Sequence, residues 1–179
     1  AQVYRLALAR ALAHAMALAA TGTTPIIFLD EPGLYAFDKR RPSHVVEFKE
    51  LDLVARALQQ AGALVGVHCC GNTDWASVFA LPVDFVSADV RLSLASMLAT
   101  GSALDTYLAR GGWLALGIVP TTLSDATPED LAATTLATLG ERTKQVLARA
   151  ILTPACGMAM LSVVDSERIV ADLRDVQRR

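Results

Sequence analysis

Short, nearly continuous apolar runs alternate along this chain with stretches whose apolar residues recur at a period near 3.6. Residues 25–30, "PIIFLD", form a short apolar run bounded by Thr23-Thr24 and Glu31-Pro32-Gly33, which predicts a strand. Over 43–62, apolar residues recur at Val45, Phe48, Leu51, Val54 and Leu58, and the run ends on Gly62, which predicts a helix. "ALVGVH" (63–68) is the next strand, followed by a short helix over 73–80. "VDFVSAD" (83–89) and "WLALGIV" (113–119) are strands, and 93–112 between them is one helix or two broken near Gly101. Residues 127–150 open with Thr127 as N-cap, Pro128 at the first helical position and Asp130 completing a capping box. "ILTPACG" (151–157) is a last short strand, and 165–179 a final capped helix. Residues 1–22 read as helix from the first position, with neither an N-cap nor an initiator methionine, so the chain reads as a piece of something longer.

Five nearly all-apolar strands, each followed by a helix, predict an α/β fold with a parallel sheet. No Gly-x-Gly-x-x-Gly follows a strand, which speaks against a dinucleotide-binding fold. The polar residues gather instead at the C-terminal ends of the strands: Asp30-Glu31, His68-Cys70, Asp89, Pro120-Thr121 and Cys156. A (β/α)8 TIM-type barrel keeps its active site at that end. The expectation is therefore that residues 1–179 supply about the C-terminal five β/α units of one barrel domain, with the N-terminal units missing.

Composition narrows the function classes. The hydrophobic fraction is 53% and the net charge −2, with Lys and Arg dispersed, so no nucleic-acid footprint and no membrane-surface patch are expected. The longest apolar stretch, residues 6–20, is interrupted by Arg10 and His14 and shows no signal-peptide cleavage pattern. Three cysteines, two of them adjacent, make a poor disulfide framework and point to a reducing cytoplasm and to metal or thiol chemistry.

Side chains two apart on a strand share a face, so His68 and Cys70 point together and Cys69 points away. A His-x-Cys pair at a strand mouth offers two ligands of a zinc site, and Cys156, at another mouth, offers the third. Three protein ligands leave one position open, as in catalytic zinc sites. Spacing alone leaves a second reading open, in which His68 is a hydrogen-bonded core residue and the cysteines are small buried hydrophobes. Asp30 and Glu31 could likewise form a solvated turn, Asp89 could cap the following helix, and Asn72 and Asp74 could be turn residues.

"IIFLDEPGL", "VHCCGNTDW", "VDFVSAD" and "LTPACGM", in this order, resemble the C-terminal catalytic domain of cobalamin-independent methionine synthase. They are also similar to the zinc-dependent corrinoid methyltransferases of the uroporphyrinogen decarboxylase superfamily. The resemblance covers about residues 10–165. It implies a zinc ion held by His68, Cys70 and Cys156, on which a thiol acceptor, homocysteine foremost, becomes the nucleophile for methyl transfer in methionine biosynthesis. It also implies that Asp89, where the family has Glu, contacts zinc, and that Asp30, with Glu31 beside it, binds the substrate's amino group. The folate-dependent enzymes carry a histidine after the strand matching "WLALGIVPTT"; here only His14, His44 and His68 exist. Protonating a folate leaving nitrogen needs such an acid, whereas a corrinoid cobalt leaves without one. The donor expected is thus a methyl-corrinoid, carried by a corrinoid protein, ahead of a methyl-folate. Two alternatives stand beside this: a corrinoid-protein:thiol methyltransferase with another acceptor, and a barrel that binds a thiol without turnover. Porphyrin decarboxylation, which needs no cysteine ligands, ranks last.

Overall fold

The computed structural model describes residues 2–122 and 124–178. Helix α1 (Gln2–Ala19) leads into strand β1 (Ile26–Asp30), a 3-10 turn over Pro32–Ala36 and helix α2 (Pro42–Gln60). Strand β2 (Leu64–Cys69) is followed by α3 (Trp75–Ala80), and β3 (Phe85–Asp89) by α4 (Val90–Ala99) and α5 (Ser102–Ala109). Strand β4 (Trp113–Val119) precedes α6 (Pro128–Leu139) and the single-turn α7 (Thr143–Leu147); β5 (Ala150–Pro154) and α8 (Val163–Gln177) complete the chain. Residues 1 and 179, at the ends of the two predicted terminal helices, lie outside the described residues.

All four strand pairings are parallel, and the sheet order β1-β2-β3-β4-β5 follows chain order without reversal. The fold is α/β with a five-stranded parallel sheet that is not closed. One face is covered: Val65, Val67, Cys69, Val86, Ala88, Leu114 and Leu116 join one apolar core with residues of the helices, such as Leu58, Trp75, Leu94 and Tyr107. The other face is open, with Ile26, Phe28, Leu64 and Ile151 exposed. None of the described helices is long and apolar enough to cross a membrane.

Two predicted helices are divided. Residues 93–112 break at Gly101 (φ 55°) and 127–150 at Gly140 (φ 52°), both in the left-handed region where a side chain would be strained. The Thr127–Asp130 capping box forms as predicted, with Pro128 at the start of α6. The last helix begins earlier than its sequence pattern suggested, because Ser162 caps it and bonds Asp165 reciprocally.

Candidate metal centre

His68 and Cys70 project from the C-terminal end of β2 onto the open face, as period-two alternation requires. Cys69, 1% exposed, turns into the core, where its thiol donates to the Gly71 carbonyl. Asn72 and Asp74 build the turn that follows. Asp74 caps α3, and the Asn72 side-chain oxygen accepts from Trp75 Nε1 (2.7 Å) and Ser96 Oγ (2.6 Å).

Cys156 arrives from three strands further along the sheet. Three strand spacings separate β2 from β5, about 14 Å on a flat sheet, yet the Cys70 and Cys156 sulfurs are 3.3 Å apart. The turn after β5 closes this gap by folding back over β4. There the Ala155 N–H donates to the Val119 carbonyl (2.8 Å), at a register shift between Gly117 and Val119. Gly117 lies beneath this crossing: a Cβ there would meet Ala155 Cα at 2.7 Å and the Ala88 carbonyl oxygen at 2.8 Å. The missing side chain is what permits the turn to sit down and carry Cys156 to the site.

His68 Nε2 is 3.1 Å from Cys70 Sγ, and ligand atoms of His68, Cys70 and Cys156 all lie within 4.8 Å of one another. All three residues are half-buried. Two sulfurs about 2.3 Å from one tetrahedral zinc stand about 3.8 Å apart, so a modest outward movement of the thiols admits an ion. The donor set of one imidazole and two thiols is one that zinc favours. Burial lowers the His68 pKa, partly opposed by Asp30 and Asp89, which favours the neutral imidazole, the form that ligates a metal. Burial, together with the hydrogen bond and charge of Cys156, pushes the Cys70 thiol up to about 12.

That thiol fixes the sign of a pH effect. Near neutral pH Cys70 keeps its proton, and a metal must displace it. Metal affinity is therefore expected to fall about tenfold per pH unit on acidification for each proton released. Calorimetry in buffers of different ionisation enthalpy reads that proton directly. In the metal-free protein the raised pKa favours the neutral thiol in the fold. Its contribution holds below pH 9.0 and is lost as pH rises towards 12.

The remaining predicted residues fall in different places. Asp30 lines a cleft of about 340 Å³ on the open face, together with Phe28, His68, Ser87, Thr153 and Cys156. Glu31, next in sequence, points elsewhere: it accepts from Tyr4 Oη (3.2 Å) and lines a separate hollow of about 70 Å³ beside α1 and α2. Burial and Glu31 together push the Tyr4 hydroxyl up to about 12. Asp89, 6% exposed, caps α4 and stands outside the converging triad. Its Oδ1 accepts from the Arg91 backbone N–H (2.9 Å) and its Oδ2 from the Arg91 guanidinium (3.1 Å). His14 and His44 lie off the cleft; His44 Nδ1 accepts from the Asp38 N–H.

Two cleft residues lie within the quoted stretches "VDFVSAD" and "LTPACGM" but were not singled out from sequence. Ser87 Oγ is 2.9 Å from His68 Nδ1. Thr153 Oγ1 is the one buried side-chain oxygen or nitrogen without a hydrogen-bond partner among the described residues. Only strand register could have indicated them: Ser87 pairs with His68 and Thr153 with Gly117.

Compared with known proteins, the chain matches no family model and no curated sequence.

Proposed function

We propose that this protein is a zinc-dependent methyltransferase that delivers a methyl group to a thiol, with homocysteine as acceptor and methionine as product. The observation that carries this reading is the convergence of His68, Cys70 and Cys156 at one end of a cleft that also holds a carboxylate, Asp30. Zinc held by these three side chains would favour the thiolate of an incoming thiol, the form that attacks a methyl donor. The chain's own groups do the rest. Asp30 offers an anionic partner for the acceptor's ammonium group, and the unpaired Thr153 hydroxyl offers a hydrogen bond to its polar end. Phe28 walls the cleft near Gly66, whose hydrogen leaves room for the ring.

Neither His14 nor His44 reaches the cleft to protonate a departing folate nitrogen, which favours a methyl-corrinoid presented by a corrinoid protein. The same reading takes the sheet as five consecutive units of a (β/α)8 barrel acting in the cytoplasm. Parallel strands in chain order, a site at their C-terminal ends and an apolar face left open at Ile26, Phe28, Leu64 and Ile151 support it.

The test is metal analysis of the purified protein, followed by methyl transfer to homocysteine from methylcobalamin and from a methyl-folate. One zinc per chain and methionine formed from methylcobalamin are the expected results. Absence of zinc would refute the reading. Zinc with thiol binding but no transfer from either donor would favour a non-catalytic thiol-binding barrel, and transfer only to another thiol would replace homocysteine as acceptor.

A further inference from the structure

We propose that Ser87 is the positioning residue for His68, its hydroxyl deciding which imidazole nitrogen faces the thiol pair. The inference rests on the metal reading above and concerns how the chain prepares its own ligand.

His68 on β2 and Ser87 on β3 are register partners on the open face, and Ser87 is 8% exposed. The imidazole is held at both ends: Nδ1 lies 2.9 Å from Ser87 Oγ and Nε2 lies 3.1 Å from Cys70 Sγ. No second partner of the Ser87 hydroxyl is found among the described residues. The Asp30 and Asp89 carboxylates act on the ring only through space, since neither is hydrogen-bonded to it.

A neutral imidazole has one N–H and one lone pair, and the partner of one nitrogen selects the role of the other. For Nε2 to give its lone pair to a metal, Nδ1 must carry the proton and needs an acceptor, which Ser87 Oγ supplies. With no metal bound, the hydroxyl can instead turn and donate to Nδ1, and Nε2–H then donates to the Cys70 sulfur. The ring stays neutral in both arrangements: the proton given up at Nε2 is matched by one gained at Nδ1. A hydroxyl serves both states because it donates and accepts. A carbonyl or carboxylate there would serve only the metal-bound one, and alanine neither.

The experiment measures zinc affinity by competition with a chromogenic chelator for the unsubstituted protein, Ser87→Ala and Ser87→Thr. Long-range ¹H–¹⁵N spectra of the histidines are recorded with and without zinc. Ser87→Ala is expected to weaken zinc binding by about 10- to 100-fold with an unchanged far-UV circular dichroism spectrum. Ser87→Thr, which keeps the hydroxyl on a strand, is expected to stay within about threefold of the unsubstituted protein. The zinc-loaded spectrum is expected to show His68 protonated at Nδ1, and the metal-free one at Nε2. The proposal is overturned if Ser87→Ala binds zinc as tightly as the unsubstituted protein, or if zinc-loaded His68 is protonated at Nε2. If Ser87→Thr fails to fold, the His68 spectra of the unsubstituted protein decide. An unsubstituted protein that binds no zinc refutes the metal reading itself, which separates the two failures.

Discussion

Replacing Cys156 or Cys70 with serine is expected to lower zinc affinity by on the order of a hundred- to a thousandfold. Zinc sites of known affinity gain about 10–16 kcal/mol from four ligands, or about 2.5–4 kcal/mol each. A serine hydroxyl replaces little of this, being a harder and far less acidic donor than a thiolate. The matched control is Cys69→Ser. Cys69 is adjacent in sequence, but its sulfur lies on the covered face and bonds the Gly71 carbonyl. Zinc affinity in Cys69→Ser is expected to stay within about twofold, and stability to drop by about 1 kcal/mol from placing a hydroxyl in the core. Chelator competition gives the first quantity and urea unfolding the second. Loss of zinc in Cys69→Ser with retention in Cys70→Ser would reverse the assignment of the two cysteines.

Gly117→Ala is the second large effect, and it acts without touching a ligand. The added methyl would meet Ala155 Cα at 2.7 Å and the Ala88 carbonyl oxygen at 2.8 Å, both backbone atoms that cannot swing aside. Overpacking of this kind costs about 1–3 kcal/mol. Here the relief must come from lifting the 154–156 turn off β4, which withdraws Cys156 from Cys70. We expect urea unfolding to shift by that amount and zinc affinity to fall at least tenfold. Ala115→Gly, on the same strand and face, serves as a control that loosens β4 without blocking the crossing. Its zinc affinity should change far less.

Much of this architecture was legible in the sequence, for reasons that differ from element to element. Period-two alternation separates His68 and Cys70 from Cys69 because a strand leaves a side chain no other choice of face. The α6 capping box was legible because two residues three apart, Thr127 and Asp130, define it. What the sequence could not convey is set by contacts distant along the chain. Cys156 is brought in by a turn that depends on an empty position at Gly117, a condition with no local signature. Asp89 was read both as a helix cap and, through the resemblance, as a zinc contact; the cap is what the structure shows, with Arg91, two residues on, bonded to its carboxylate. The resemblance placed Glu31 beside Asp30; in the structure alternation turns the two apart, and Glu31 accepts from Tyr4. Periodicity also ran through Gly140, where a positive φ ends the helix.

The meeting of Cys70 and Cys156 closes a loop of 86 residues that contains β3, β4 and β5 with the helices between them. A bridge across those two sulfurs would remove about 4–5 kcal/mol of chain entropy from the unfolded state, as a covalent link of that span does. An ion seated there would therefore tie the most distant part of the sheet to β2. Chelation would then act as a slow denaturant, releasing β5 and α8 before the strands at the other edge.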